Sequence, residues 1–284
     1  MFDVVVKNGT VIDGTGAEPV NTDVAIAGDR VVAVGQVPGE AVRTIDATGL
    51  VVSPGFIDLH AHSDMSFLVD PLADSKLRQG VTLELVGNCG MSFCAPMNDK
   101  TLGSFRSWAK RSSPDLEPTW TNFAGYLSAL EQAGSVINIA TQIGHNQIRS
   151  FVMGDVARAP SADELLDMER NVVEALEAGA MGLSTGLYFA PGSYSLTDEV
   201  ISLTRPVAER DKLYSSHMRS ESDESPGLFT AIQESIEIGR RTGARIEISH
   251  VKAHGPRVWG RAAMILESIT EARREGVDVA GDQY

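Results

Sequence analysis

The sequence predicts an α/β protein, a (β/α)8 TIM-barrel lacking its last strand, preceded by a short all-β portion. Three observations carry this. Strand, turn and helix patterns repeat in that order from Val51 onward, turn signals crowd the first fifty residues, and aromatics make up only 6% of a chain rich in Gly, Val and Ala. Small residues of that kind suit close strand-helix contacts. At 284 residues the chain can bury one sizeable core, in one large domain or two smaller ones.

Residues 1–53 read as short strands, Val4 to Lys7, Val11 to Asp13, Thr22 to Ala27, Arg30 to Val34 and Thr44 to Asp46. Asn8-Gly9, Gly14-Thr-Gly16, Gly28-Asp29 and Pro38-Gly39 punctuate them as turns. This portion carries no chemistry and is read as structural. Residues 54–284 hold the repeating units. Their strands are predicted at Val51 to Leu59, Thr82 to Val86, Val136 to Gln142, Met181 to Ser184, Leu213 to Ser216, Arg245 to Ser249 and Val277 to Ala280. Between them, Ser161-Ala-Asp-Glu164 opens a helix with a capping box that runs through Ala178 and closes at Gly179. Phe229 to Thr242 ends at Gly243 and Ala262 to Glu275 ends at Gly276 in the same manner. Seven successive βα units imply parallel strands with right-handed crossovers, and favour a barrel over a doubly wound sheet.

A formal net charge of −14 opposes nonspecific binding to nucleic acid or to an anionic membrane, both of which need a basic surface. An anionic small molecule remains compatible, because a few cations and a metal can make a positive pocket in an acidic protein. Cys89 and Cys94 form no disulfide framework, which favours a reducing compartment. With no cationic leader followed by an apolar segment, and no apolar run of membrane-spanning length, the expectation is a soluble cytoplasmic protein.

Barrel chemistry collects at the C-terminal ends of strands. There the chain places His60 and His62, Cys89, His145, His217, His250 and Asp282. Of six histidines in the chain, five lie at such ends. His60 and His62 are two residues apart on a strand, so both imidazoles project to one face. Each position has a plain structural reading, Cys89 as a small buried hydrophobe, His217 as a cap and His250 as a core histidine. Together they make a metal-ligand set, since imidazole and thiolate are donors that zinc favours. One or two Zn2+ ions fit such a set, and zinc lowers the pKa of bound water to about 7 and polarises carbonyls, the chemistry of hydrolysis. Lys252 is the better candidate to grip a substrate carboxylate. Arg219 reads as a solvated rim residue, Cys94 and His254 as loop residues, and His145 as facing the substrate or supporting a ligand.

The β-rich start with Val4-Val-Val-Lys-Asn-Gly-Thr-Val-Ile-Asp-Gly14, followed by Gly55-Phe-Ile-Asp-Leu-His60-Ala-His62, resembles the metal-dependent amidohydrolase superfamily. Gly87-Asn-Cys89-Gly90, Gly182-Leu-Ser-Thr-Gly-Leu187 with Tyr188, Pro191-Gly-Ser-Tyr194, Ser216-His217-Met-Arg219, Ser249-His250-Val-Lys252 and Asp282-Gln-Tyr284 resemble its D-aminoacylase branch, the N-acyl-D-amino-acid deacylases. The resemblance implies that residues 1–53 are part of a small β-sandwich and that residues 54–284 carry barrel strands 1 to 7 of a metal-dependent hydrolase. It implies zinc held by Cys89, His217 and His250, a second and weaker metal position at His60 and His62, and substrate contacts from Lys252, Tyr284 and Tyr194. The implied reaction is hydrolysis of an N-acyl-D-amino acid to a carboxylate and a free D-amino acid.

The superfamily's general base is an aspartate after the eighth strand, a position expected beyond Tyr284, so the chain reads as the N-terminal portion of a longer enzyme. A cyclic-amide hydrolase of the dihydroorotase or hydantoinase kind ranks lower. Those enzymes commonly bridge two metals with a carboxylated lysine, where this chain has Cys89 and Ser184. A non-catalytic zinc-binding subunit is the alternative from another class.

Overall fold

The computed structural model describes residues 1–92 and 95–283, and the chain divides into two units, Met1–Phe56 and Ile57–Tyr284. Cys94 and Tyr284, both considered above, lie outside the described residues.

In the first unit, runs of Val, Ile and Thr take the extended conformation that β-branched side chains favour. Strand β1 (Phe2–Val11) pairs antiparallel with β2 (Val20–Ala27), which pairs antiparallel with β3 (Arg30–Gly35). Strands β4 (Ala41–Asp46) and β5 (Val51–Val52) both run parallel to β1. Val5, Ala25 and Val37 form the buried core of this unit. Asn8-Gly9 is not the expected turn. The strand runs through it, with a register shift between Val6 and Gly9. Asn8 takes φ 63, and it is held there by its N–H donating to Asp23 Oδ1 at 3.0 Å and its amide donating to Asp46 Oδ1 at 3.2 Å. Asn tolerates that backbone region, so a bulge replaces the turn and merges two expected strands into one.

The strand expected over Val51 to Leu59 is likewise divided, because Pro54-Gly55 removes a ladder donor and loosens the backbone. Its first two residues form β5 in the first unit, and a separate strand, β6 (Phe56–Asp58), carries the chain into the second, which starts at Ile57. Two short helices, α1 (Ser66–Val69) and α2 (Asp74–Leu77), lead to β7 (Val81–Val86). Helices α3 (Asp99–Ser112) and α4 (Phe123–Ala133) follow. Asn98 and Asn122 cap them with side-chain oxygens that accept the otherwise orphaned N–H groups of the first turns.

The strand expected over Val136 to Gln142 is shorter and is followed by a second piece, β8 (Asn138–Thr141) and β9 (Ile143–Gly144). Strand β8 pairs with β7, and β9 joins the next sheet. Gln142 stands at the break, where its N–H donates to Val86 O at 2.9 Å while Met181 N–H donates to Thr141 O at 2.8 Å. Backbone hydrogen bonding therefore continues across the interruption. Helix α5 (His145–Met153) starts immediately, then α6 (Ala162–Ala178), β10 (Gly182–Gly186), α7 (Thr197–Glu209), β11 (Leu213–His217), α8 (Leu228–Thr242), β12 (Arg245–Ile248), α9 (Ala262–Arg274) and β13 (Val279–Gly281).

The sheet order is β13-β12-β11-β10-β9 in one sheet and β6-β7-β8 in the other. The paired registers from β9 to β13 are all parallel. The second unit is thus α/β, with helices alternating between parallel strands as the repeat predicted. Leu183, Tyr214, Ile246, Ile248 and Val279 of the strands are buried with Met168, Val172, Val200, Leu203, Ile232 and Ile236 of the helices. Each such aliphatic side chain contributes about 1.5–3 kcal/mol on burial. Strands buried on both faces have rigid ends, and those ends carry the site.

Candidate metal centre

After β7 the chain turns through Gly87-Asn88-Cys89-Gly90. Three of these four residues have positive φ, Gly87 at 77°, Cys89 at 55° and Gly90 at 72°. A Cβ at Gly87 would collide with the carbonyl of Gln142, and one at Gly90 with the side chain of Asn146, so both positions require glycine. Asn88 ties the turn down. Its amide nitrogen donates to Leu85 O at 2.8 Å and to Ala61 O at 3.2 Å, and its oxygen accepts from Gln142 Nε2 at 2.9 Å. Gln142 in turn accepts from Ser215 Oγ at 3.0 Å. This buried chain runs from the end of β7 through the β8–β9 break to the middle of β11 and fixes Cys89 in a backbone conformation uncommon for a residue with a side chain.

Around Cys89 Sγ the histidines converge. His60 Nε2 lies 3.3 Å away and His250 Nε2 3.6 Å away. His217 Nδ1 is 2.8 Å from that same His250 nitrogen. His62 packs edge-on to His60 with ring centroids 5.4 Å apart. His250 has φ 40, a second non-glycine residue with positive φ at a strand end, and its N–H donates to Asp282 Oδ1 at 2.6 Å. The other oxygen of Asp282 sits 3.1 Å from His60 Nδ1. Asp282, just past β13, therefore joins both sides of the cluster.

Two trios of donors result, His60 with His62 and Cys89, and Cys89 with His217 and His250. Within each trio the ligand atoms lie within 4.8 Å of one another. Burial, with the carboxylates of Asp282 and Glu221 nearby, pushes the Cys89 thiol up to about 12. Burial and the neighbouring His250 hold His217 down at about 3. Protons are thus disfavoured on the imidazole, while the sulfur lacks the positive partner its ionised form needs. A divalent cation supplies that charge and accepts the lone pairs, so the donor set fits a metal of the zinc class.

The cluster lines one side of a cavity of about 910 Å³, whose other walls include Met91, Tyr188, Phe189, Glu221, Lys252 and His254. Phe189 packs on His217 with centroids 4.6 Å apart. Lys252 Nζ lies 2.7 Å from Glu221 Oε1 and 2.9 Å from His250 Nδ1. Burial would raise the Glu221 carboxyl, but His250 and Lys252 overcome it and hold the group at about 2.

The structure brings His60, His62, Cys89, His217, His250 and Lys252 to this cavity, and it adds His254, read from sequence as a plain loop residue. Tyr194 is not among the lining residues; it ends a 3-10 turn at Gly192–Tyr194, and Tyr188 lines the cavity instead. His145 neither faces the cavity nor supports a ligand. As the first residue of α5 it is fully buried, and its Nε2 sits 2.8 Å from Glu199 Oε1, a carboxylate shared with Arg149. Arg219 is not a solvated rim residue either. It makes an ion pair with Glu234 at 2.9 Å and donates to Ser193 O at 3.2 Å. Both corrections have one cause, since a carboxylate on a helix captures each group, the buried Glu199 on α7 and the partly buried Glu234 on α8.

Sequence reasoning missed Glu221, Asn88 as an organiser, and Gln142. Glu221 stands four residues after His217, the one sequence signal that could have drawn attention to it.

Residues 43–216 match the model of the Amidohydrolase family. Over its whole length the chain is 40% identical to an N-acyl-D-glutamate deacylase of Alcaligenes xylosoxydans xylosoxydans and covers 57% of that protein. It is 35% identical to a D-aminoacylase of the same organism, with the same coverage. A crystal structure of N-acyl-D-glutamate deacylase from Bordetella bronchiseptica, complexed with zinc and a phosphonate inhibitor that mimics the tetrahedral intermediate, superposes with a TM-score of 0.90 at 38% identity. The chain is covered completely in that superposition, and 58% of the crystallised chain is covered. The chain thus spans somewhat more than half the length of the relatives it matches.

Proposed function

The chain belongs to the amidohydrolase family, and from that premise we propose that it is the metal-binding N-terminal portion of an enzyme that hydrolyses N-acyl-D-amino acids to a carboxylate and a free D-amino acid. The observation that carries the reading is Cys89, which belongs to both donor trios and stands beside a cavity large enough for a small amide. Similarity along the whole of this chain to an N-acyl-D-glutamate deacylase and a D-aminoacylase supports the substrate class. The proposed architecture is a (β/α)8 barrel of which the second unit supplies strands 1 to 7, with residues 1–53 as part of a β-sandwich.

In this reading Cys89, His217 and His250 hold zinc, and His60 and His62 complete a second position with Cys89. Bound zinc would acidify water and polarise the amide carbonyl. The chain's own residues orient the substrate. Lys252, at the cavity wall, meets the carboxylate, and Tyr284 is proposed to assist it. Asp282 and Glu221 are engaged with ligand histidines, and the proton-carrying aspartate is proposed, on the resemblance to the superfamily, to come from residues after Tyr284. A cytoplasmic location is part of the proposal, supported by the free buried thiol of Cys89.

The test is hydrolysis of N-acetyl-D-glutamate, N-acetyl-D-methionine and their L-enantiomers by the full-length enzyme, with and without Cys89→Ala. Zinc-dependent cleavage of a D-substrate that is lost in the variant is expected. A metal-loaded enzyme inert toward all acyl-D-amino acids, or a Cys89→Ala variant with unchanged zinc content and activity, would overturn the proposal.

A further inference from the structure

Glu221 Oε1 meets three groups at once. It lies 2.8 Å from His250 Nδ1, 2.7 Å from Lys252 Nζ and 3.9 Å from His217 Nε2. These are the ring nitrogens that face away from the donor cluster, since His250 Nε2 and His217 Nδ1 are the pair that approach each other at 2.8 Å. Lys252 Nζ also lies 2.9 Å from His250 Nδ1. That nitrogen therefore has two suitors with opposite demands. A carboxylate only accepts, so it requires the proton on Nδ1 and leaves the Nε2 lone pair facing Cys89. An ammonium only donates, so it requires a bare Nδ1 and places the proton on Nε2, where it blocks coordination.

We infer that Glu221 is a positioning residue that keeps His250 in its metal-binding tautomer by outcompeting Lys252 for the imidazole Nδ1. The inference rests on the reading of Cys89, His217 and His250 as a metal site. The same Glu221 oxygen also accepts a hydrogen bond from the Lys252 ammonium, at 2.7 Å. Lys252 also donates to the His250 carbonyl at 3.2 Å. The lysine is thereby kept beside the ligand without taking Nδ1 as its acceptor. The same logic places Asp282 behind His60 Nδ1 at 3.1 Å, so a carboxylate stands behind one histidine of each trio. Outer carboxylates of this kind change metal affinity by about 10–100-fold when removed.

The geometry makes an unusual demand on double substitution. Glu221→Leu hands the Nδ1 nitrogen to Lys252, so zinc affinity should fall by about 10–100-fold. Glu221→Leu with Lys252→Met removes the rival donor and should regain most of that loss, while Lys252→Met alone leaves zinc affinity near the parent's. Glu221→Gln keeps an accepting oxygen and should fall between parent and Glu221→Leu. Zinc affinity is read by competition with a chromophoric chelator. The tautomer is read on the metal-free protein by the imidazole 15N shifts of His250, with the Nδ1-protonated form in the parent and the Nε2-protonated form in Glu221→Leu. Parent-like affinity in Glu221→Leu, no recovery in the double variant, or an unchanged His250 tautomer would overturn the inference while leaving the metal site intact. A parent protein that binds no zinc would instead remove the site on which the inference stands.

Discussion

Asn88→Ala should damage stability and metal binding together, because one buried amide holds the thiol turn and the His60-Ala61-His62 segment at once. The side chain is 1% exposed and makes three hydrogen bonds, to Ala61 O at 3.2 Å, to Leu85 O at 2.8 Å and from Gln142 Nε2 at 2.9 Å. At roughly 1 kcal/mol net for each, with buried partners left unsatisfied, the loss is about 3 kcal/mol. Chemical unfolding of parent and variant measures it. Asn138→Ala is the internal control, since Asn138 makes one exposed hydrogen bond, to Thr82 O at 3.0 Å, and surface changes of that kind fall within about 0.5 kcal/mol. Zinc affinity should fall in Asn88→Ala as well, because Cys89 depends on the turn for its φ of 55°. If Asn88→Ala unfolds like the control and binds zinc like the parent, the turn is held by something other than this amide.

Further outcomes follow from individual groups. Glu199 is buried, which by itself would raise its carboxyl, but His145 and Arg149 hold it below its ordinary value of 4.5. Its contribution is therefore complete above that value and is lost as pH falls through the lower folded value. Glu199→Gln should cost about 3–5 kcal/mol at neutral pH, as expected for breaking a buried pair, and the gap to the parent should narrow only in acid; a gap independent of pH would contradict it. With the Cys89 thiol at about 12 in the absence of metal, zinc uptake near neutral pH should release close to one proton from that residue. Calorimetry in buffers of different ionisation enthalpy measures this, and Cys89→Ser should remove the thiol's share. Ser161 and Glu164 exchange both capping-box hydrogen bonds, at 3.2 and 2.8 Å, so Ser161→Ala should lower stability by about 1 kcal/mol in thermal unfolding, with zinc affinity unchanged.

The site was legible in the sequence where local rules fix side-chain direction. His60 and His62 share a strand face, and His217 and His250 follow strands placed by the repeating βα pattern, Leu213 to Ser216 and Arg245 to Ser249. The Gly-Asn-Cys-Gly turn was legible because two glycines within four residues mark a turn, and Gly87 and Gly90 do take φ of 77° and 72°. Contacts made across the fold were not. Glu221 sits in a loop with no periodic pattern, and nothing local says that its carboxylate reaches past His217 to His250 and Lys252. His145 and Arg219 occupy strand ends as expected, yet Glu199 on α7 and Glu234 on α8 capture them, and a partner 54 or 15 residues away leaves no trace in spacing. Strand boundaries failed at Asn8-Gly9 and at Gln142 for a related reason. Side-chain hydrogen bonds from distant residues there decide whether the chain turns, bulges or breaks.

At the centre of the proposed function, Cys89, His217 and His250 share one metal. X-ray absorption at the zinc edge of the stoichiometrically loaded protein tests it most directly. One sulfur at about 2.3 Å with nitrogens at about 2.0–2.1 Å is the predicted shell, with the sulfur scatterer lost in Cys89→Ala. A shell of nitrogen and oxygen alone in the parent protein would contradict it.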